Sequence, residues 1–434
     1  MEATTTTSGL QNVLDDFRSR SFSVVSDVRK KAIQQFETLG FPTAKSEEYR
    51  FTPLAQKLHQ KFVWNTHAVP STLTDITKYL IPNVDGSIVV MNNGKFDLSL
   101  SRIQPETGLI ISGLDEAFTK HSALVHSHFN TIQPDQHDAF ASLNSALWSD
   151  GVFIHVAENC AIKNPILVVY LFDAQAASSI HHTRSLVLLE KNAKASICER
   201  FDVVGTNGVY HNLTEEIKIN AQAELEYCRI QHDAGNFYQV SNTTLLQTDK
   251  SKLNTFTLTL DGQLIRNNFN IVIDGEHCES HFYGLYLLHG NTLADNHTVV
   301  DHRKPNSFSN EMYKGVMDGS SKGVFNGKIF VRPQAQKTNA FQSNRNIILS
   351  ESATVNTKPQ LEIWADDVKC SHGCTSGQLD EEALFYLQSR GIGQATAKAM
   401  LLYAFAHEVL EPVKHEGLKL FLDQLIANRL HKNF

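Results

Sequence analysis

Two thiols and one imidazole lie within five residues near the C-terminal end of the chain, in the segment Cys370-Ser371-His372-Gly373-Cys374. Thiolate is a soft ligand and imidazole a borderline one, and both hold iron or iron–sulfur units in proteins. A closed structural zinc site usually takes four ligands in two spaced pairs, and this segment lacks them. The segment therefore predicts one of two things. It is either an incomplete site that a partner chain finishes, or a turn in which these residues only pack.

The sequence on either side of this segment predicts the elements that hold it. Residues 361–369 alternate in the manner of a strand, and Asp380 is a good helix N-cap with two glutamates in the first turn after it. Asp366 and Asp367 lie between these elements. They are open to two interpretations, as hard ligands or bases or simply as an exposed strand end.

Helices are predicted at both ends of the chain. Val28, Ala32 and Phe36 recur on one helical face, and Gly40 followed by Pro42 is a stop signal. After the helix that Asp380 begins, further helices are predicted at residues 396–410 and 417–430.

Residues 151–364 are instead rich in short β-branched and aromatic segments that Gly, Asn and Asp separate. More than two hundred residues of strand without helix leave a large barrel, a propeller or a stacked solenoid. Asparagines within the strands, such as Asn267 and Asn344, are able to stack between neighbouring coils. We therefore predict a mainly β protein whose core is a right-handed parallel β-helix (solenoid), flanked by N-terminal and C-terminal α-helical regions.

Three regions follow from this pattern. They are an N-terminal helical and mixed region at residues 1–138, a β-helix core at 139–368 and a C-terminal helical region at 369–434. An Asn92-Asn93-Gly94 sequence predicts a tight turn between strands within the first region.

Composition argues against several functional classes. A net charge of −7 gives no basic excess for a nucleic acid or an anionic membrane. The first twenty residues are polar, and no apolar run reaches the length of a membrane span. We expect a cytoplasmic protein with reduced thiols, in which Cys160, Cys198, Cys228 and Cys278 are packed as small hydrophobes.

Other motifs are weaker. Gly391-Ile392-Gly393 resembles a phosphate-gripping helical hairpin, but no basic cluster flanks it. Asp301, His302 and Ser309 suggest a hydrolase, yet adjacent residues of a strand point to opposite faces, so Asp301 and His302 cannot form a relay. No phosphate-binding loop is present, so we expect no ATP bound by this chain.

A long ordered set of segments carries a family resemblance. The segments are Asp301-His302, Tyr313-Lys314-Gly315, Val324-Phe325-Asn326-Gly327-Lys328-Ile329, Gln336-Lys337-Thr338, Ala340, Gln342, Lys358-Pro359-Gln360-Leu361-Glu362-Ile363, Asp366-Asp367-Val368-Lys369-Cys370-Ser371-His372-Gly373, and Leu384-Phe385-Tyr386-Leu387 with Arg390-Gly391-Ile392. In these segments the chain resembles the SufB/SufD family of iron–sulfur cluster assembly proteins, and the SufD members most closely.

The resemblance implies a non-enzymatic subunit of the SUF scaffold complex. Its partners would be a SufB-like paralogue at the β-helix edge and a SufC-like ABC ATPase at residues 380–410, with a homodimer when the paralogue is absent. The resemblance also implies an iron–sulfur cluster or iron held transiently and shared with the partner. His372 would be the candidate ligand, and Cys370 a weaker one.

The chain departs from the family pattern at two places. Cys374 lies where the family commonly has a small residue, so the resemblance carries no role onto it. SufB-like members have a key cysteine near residues 344–348, and this chain has none there. The second departure favours SufD over SufB.

Alternatives from other classes remain. A purely structural spacer of the same complex would share the fold and the partners, without a ligand role for His372. A β-helix enzyme acting on polysaccharide, or a stand-alone metal-binding or iron-storage protein, would use the same fold for other chemistry.

Overall fold

The computed structural model describes residues 2–19, 25–64, 70–132, 138–232 and 234–433. Within these residues the helices are α1 (Glu2–Ser19), α2 (Ser26–Leu39), α3 (Leu54–Lys61), α4 (Leu114–Lys120), α5 (Ser122–His128), α6 (Ala139–Leu147), α7 (Glu381–Ser389), α8 (Gln394–His407) and α9 (Glu416–Asn433). Two single-turn 3-10 helices lie at Glu47–Tyr49 and Thr77–Tyr79.

Strands fill most of the sequence between α6 and α7. They and the strands that precede them are β1 (Ile88–Asn92), β2 (Lys95–Phe96), β3 (Leu109–Gly113), β4 (Val152–Val156), β5 (Ile166–Ala174), β6 (Ser179–Leu189), β7 (Lys194–Gly205), β8 (Val209–Ile219), β9 (Glu224–Gln231), β10 (Phe237–Gln247), β11 (Lys252–Thr259), β12 (Leu264–Ile273), β13 (Glu279–Leu288), β14 (Leu293–His302), β15 (Phe308–Met317), β16 (Lys322–Val331), β17 (Asn339–Ile348), β18 (Thr354–Ile363) and β19 (Lys369–Gly377).

The strands alternate between two sheets. In the described residues, one sheet has the order β19-β17-β15-β13-β11-β9-β7-β5-β1-β2, and the other has the order β18-β16-β14-β12-β10-β8-β6-β4-β3. From β4 onward, neighbouring strands within each sheet are parallel. Register partners lie one coil apart, from 26 residues for Tyr238 with Leu264 to 33 residues for Phe153 with Leu186. This is a β-solenoid of about 8 turns, and the predicted mainly β fold is confirmed.

At one corner of the solenoid, successive coils each have a residue in the left-handed backbone conformation. Their φ values lie between 57° and 63°, and the residues are Asn192, Gln222, Lys250, His277, Asn306 and Lys337. Corner backbones also bond from coil to coil, as where the Gln222 N–H donates to the Asp249 carbonyl at 2.8 Å. A repeated corner keeps successive coils in register, so residues about thirty apart stack on one another.

Alternation along each strand decides which side chains fill the solenoid. Successive side chains of a strand point to opposite faces, so every second residue lies inside. The interior holds a continuous apolar cluster that includes Phe172, Phe237, Ile271 and Phe325. The predicted asparagine stacking is also present, since Asn267 Nδ2 donates to Asn296 Oδ1 at 3.1 Å across neighbouring coils.

Helices cover the outer face of each sheet. Leu402 of α8 and Leu422 of α9 pack against Ile230 and other apolar residues on the outer side of the longer sheet. On the other sheet, Phe36 of α2 and Phe140 of α6 belong to a second cluster that also takes residues from β8, β10 and β12. Both faces of these strands are therefore buried.

The terminal helices begin and end close to the predicted residues. Helix α2 ends at Gly40, whose φ of 62° lies in the left-handed region. The Asp380 side chain accepts from the Ala383 N–H at 3.0 Å and so caps α7 as expected. The Asn92-Asn93-Gly94 turn is also present, because β1 and β2 pair in antiparallel register there.

The elements do not stop at the limits of the three predicted regions, and that division stays a prediction. Helix α6 lies after residue 138 but packs with the N-terminal helix α2. Strand β19 lies after residue 368 but pairs with β17 inside the solenoid. In the described parts of the chain, the helices are too short or too polar to cross a membrane.

Candidate functional site

The Cys-Ser-His-Gly-Cys segment forms the last strand of the solenoid. Strand β19 is the end strand of its sheet, paired only with β17 in the described chain, and β18 is the end strand of the other sheet. From Ser371 to Gly377 every residue of β19 is exposed. The interpretation of this segment as a turn is therefore wrong, since it is regular strand at an open end.

The two candidate ligands, Cys370 and His372, share one face of β19 with Cys374. Residues 370, 372 and 374 alternate, and their register partners on β17 are Ala340, Gln342 and Asn344, all buried. Since Ala340 belongs to the interior cluster, this face is the one that looks into the solenoid. Cys370, His372 and Cys374 therefore line the mouth of the solenoid at its open end.

Cys370 lies deepest of the three. It is half-buried and packs against the interior apolar cluster. Burial raises the pKa of the Cys370 thiol, because a desolvated thiolate is unfavourable. The neutral, packed form of this side chain is favoured in the isolated chain.

Cys374 has a different environment. Its thiol is exposed, and its Sγ lies 2.6 Å from Oγ1 of Thr357 on β18. The register partner of Thr357 is Phe325, an interior residue, so Thr357 also points into the solenoid. The Cys374 side chain therefore reaches across the mouth from one sheet to the other.

A polar stack lies directly behind His372. Glu311, Gln342 and His372 occupy one register row, and Gln342 Nε2 donates to Glu311 Oε2 at 2.7 Å. Burial raises the pKa of Glu311 to about 7. Gln342 is only 3% exposed, and its Oε1 has no hydrogen-bond partner. A Cβ at Gly327 would lie 2.2 Å from Gln342 Nε2, so this glycine gives the amide its space.

These donors do not make a closed metal site within the chain. Across residues 2–19, 25–64, 70–132, 138–232 and 234–433, the structure has no cluster of three or more His, Cys, Asp or Glu side chains that could hold a metal ion. Asp366 and Asp367 are exposed in the loop before β19. The mouth therefore presents two thiols and one imidazole to a molecule that binds over this end of the solenoid.

The hydrolase motif is partly assembled but is sealed from solvent. His302 Nε2 lies 2.9 Å from Ser309 Oγ in the interior, and both residues are buried. Asp301 instead binds Arg303 and Arg332 on the outer face, as alternation predicts. Burial lowers the pKa of His302 to about 4. A substrate has no access to this pair, so its role is in packing.

Helix α7 presents an uncovered apolar surface beside this end of the chain. None of its residues is buried, and Phe385 and Tyr386 are 72% and 57% exposed. Met400 of α8 is also exposed. Large exposed apolar side chains grouped in this way are typical of a protein–protein interface.

Comparison with known families supports the resemblance along most of the chain. Residues 172–405 match the model described as "SUF system FeS cluster assembly, SufBD core domain", and residues 10–168 match the SufBD protein N-terminal region. The chain belongs to the SufBD family. The predicted family is confirmed, and the match to the core model includes the whole of the mouth and α7.

Similar proteins extend over nearly the full length. An iron–sulfur cluster assembly SufBD family protein of Synechocystis is 29% identical over 94% of this chain and 91% of its own. The iron–sulfur cluster assembly protein SufD of Escherichia coli is 30% identical over 92% and 91%. SufD of Bacillus subtilis is 27% identical, over 94% of each chain. The family is one of iron–sulfur cluster assembly.

The sequence predicted Cys370 and His372 as candidate ligands, which stays a prediction, and it did not point to two residues that lie near them. Thr357 lies on the opposite sheet, and Glu311 lies two coils away from His372. The coil length is the signal that could have found Glu311, because Glu311, Gln342 and His372 are spaced by 31 and 30 residues.

Proposed function

We propose that this protein is a non-enzymatic subunit of the SUF scaffold complex for iron–sulfur cluster assembly. It pairs with a SufB-like paralogue at the open end of the solenoid and with a SufC-like ABC ATPase at its C-terminal helices. It works in the cytoplasm, and the cluster or iron is its cargo rather than a resident cofactor.

The open strand edge supports pairing with a paralogue. An exposed β19 presents backbone N–H and C=O groups without a strand partner, and such an edge is a template for another strand. A SufB-like solenoid would continue both sheets across this end. A second copy of the chain would use the same edge when the paralogue is absent, which gives a homodimer in isolation.

The small number of donors at the mouth supports a shared site. His372 and Cys370 supply ligands to iron or to the cluster, and the paralogue supplies the rest across the interface. A site with few ligands from each chain suits a scaffold, because it must release what it assembles. The observation that carries the proposal is that these side chains face the open end of the solenoid at β18 and β19.

In this proposal the ATPase partner binds ATP, and this chain does not. This chain has no phosphate-binding loop, and the exposed apolar surface of α7 offers a place for an ATPase subunit to dock. In this mechanism the paralogue's thiolate attacks the outer sulfur of a donor persulfide, the donor's own sulfur leaves as a thiolate, and His372 helps to hold iron. Closing of the ATPase dimer would then shift the two solenoids and open or complete the site between them.

Replacing His372 by Ala in the reconstituted complex tests the proposal. We expect cluster assembly to fall about tenfold or more, because one ligand of the shared site is lost. Absorbance of the assembled cluster measures the yield, and size-exclusion chromatography checks that the complex stays intact. His126→Ala, at an exposed histidine on α5 away from the mouth and the C-terminal helices, is the control and should assemble clusters normally. Normal assembly by an intact His372→Ala complex would instead favour a purely structural spacer.

A further inference from the structure

The spacing on β19 allows His372 to share a metal ion with one thiol only. Alternate residues of a strand lie about 6.8 Å apart, and residues four apart lie about 13 Å apart. Metal–sulfur bonds of about 2.3 Å and metal–nitrogen bonds of about 2.0 Å let two side chains span the shorter gap but not the longer one. An ion held by His372 therefore takes Cys370 or Cys374.

The two thiols differ in what an ion would have to displace. Cys370 contacts the interior apolar cluster, so turning its sulfur towards an ion would give up that packing. Cys374 is exposed and contacts the Thr357 hydroxyl at 2.6 Å. A hydroxyl can donate to a thiolate, and such support of a metal ligand strengthens binding.

The surroundings of Cys374 are also polar on the solenoid side. Its register partner Asn344 donates from Nδ2 to the Tyr286 hydroxyl at 3.2 Å, and Asn346 donates to Asn344 at 2.7 Å. These groups hold the floor of the mouth in place without covering the sulfur. An ion bound there keeps open positions on its outer side for the partner.

We propose that Cys374, together with His372, is the thiol donor that this chain offers to ferrous iron at the mouth of the solenoid. Cys370 instead anchors β19 to the interior. This inference therefore keeps His372 in the shared site proposed above and replaces Cys370 by Cys374 as its thiol. The inference rests on the proposed function, and it gives a ligand role to the thiol for which the family resemblance implied none.

Protection from alkylation tests the assignment in the full chain, with Zn²⁺ as the probe. Reduced protein is treated with iodoacetamide with and without Zn²⁺, and mass spectrometry follows each cysteine. We expect Zn²⁺ to slow alkylation of Cys374 about tenfold or more in wild type and to have no such effect in His372→Ala. Protection of Cys370 in place of Cys374, or of neither thiol, would overturn the proposal.

A set of serine variants in the reconstituted complex separates this inference from the proposed function. Cys374→Ser should retain less iron than Cys370→Ser, and Cys160→Ser, a half-buried thiol away from the mouth, should retain the wild-type amount. The opposite order for the first two variants would contradict the role of Cys374. If His372→Ala lowers iron retention but Cys374→Ser does not, only this inference fails. If neither variant changes retention, the ligand role in the proposed function fails as well.

Discussion

At the scale of single residues, the solenoid interior holds charge as well as apolar groups. Arg229 is buried between two carboxylates, and its Nε and Nη2 donate to Glu199 at 3.1 and 3.0 Å. It also forms an ion pair with Glu215. Burial, and then the charge of Glu215, raise the pKa of Glu199 well above its usual value. With one cation among two buried carboxylates, this rise in the pKa of Glu199 reduces the net charge that the interior has to hold.

Replacing Arg229 by Met should therefore be severely destabilising. The variant leaves Glu215 without its buried cation, and loss of one partner in such a pair costs about 3–5 kcal/mol. Denaturant unfolding measures the difference. Arg345→Met is the control, because Arg345 is exposed on β17 and its loss should change the free energy of unfolding by about 0.5 kcal/mol or less. Equal losses in the two variants would contradict this account of the interior.

At the scale of elements, α7 differs from the two helices that follow it. Helices α8 and α9 bury apolar side chains against the outer face of the sheet, whereas α7 buries none. A capped helix that packs so little is not needed to complete the core of this chain. Its apolar residues are therefore available to a partner, which in our proposal is the ATPase.

Phe385→Glu should weaken binding of a SufC-like ATPase while leaving the solenoid intact. A charge in the middle of an apolar contact surface removes a large anchor, and such anchors contribute about 2 kcal/mol or more to an interface. Isothermal titration with the purified ATPase measures the affinity, and we expect a loss of about thirtyfold or more. Gln56→Glu adds the same charge to the exposed face of α3, away from the C-terminal helices, and serves as the control. Unchanged affinity in Phe385→Glu would exclude this helix as the docking surface.

At the scale of the whole molecule, the N-terminal region is tied to coils more than two hundred residues later. The Arg266 guanidinium lies 3.9 Å from the centre of the Tyr49 ring, and its Nη1 donates to the Glu48 carbonyl at 2.6 Å. Asp295 accepts from Arg266 at 2.7 Å, and His297 bridges Asp295 and Glu48 at 2.9 and 3.3 Å. This ionic network, buried at Arg266 and Asp295 and open to solvent at Glu48, fixes the Glu47–Tyr49 turn on the solenoid.

The network predicts a pH dependence of stability. Burial alone would raise the pKa of Asp295, but the charges of His297 and Arg266 overcome it and lower the pKa to about 2. An unfolded aspartate has a pKa of about 3.9, so the ionised form stabilises the fold by about 2 to 3 kcal/mol. This contribution is complete above about pH 4 and is lost as the pH falls towards 2.

Asp295→Asn should remove this contribution. At pH 7 we expect the variant to be less stable than wild type by about 2 to 3 kcal/mol in denaturant unfolding, and the difference should shrink on acidification below pH 4. Asp366→Asn, which changes an exposed carboxylate, should show no such difference. If the difference in free energy of unfolding between Asp295→Asn and wild type does not change with pH, the ion pairs of Asp295 are not the cause of that difference.

Much of the fold could be predicted because its signals are local. Strand alternation, the absence of helical periodicity after residue 151 and the asparagines in strands led to a solenoid. The Asp380 cap and the Gly40 stop marked helix ends that the structure has. The same alternation shows that residues 370, 372 and 374 share a face, since that depends only on the period of a strand.

Only the three-dimensional packing of the coils determines the surroundings of residues 370, 372 and 374. No local pattern in the sequence shows that β19 is the last coil, that its ligands line an open mouth, or that Thr357 reaches Cys374 from the other sheet. The side chains of Cys370 and Cys374 lie on the same face of β19. Cys370 nevertheless packs into the apolar interior, whereas Cys374 is exposed. The depth of a side chain depends on coils stacked about thirty residues apart and on where the stacking ends. The sequence by itself determined the type of fold and the donor atoms, and the stacking of the coils determined which donors are free to bind.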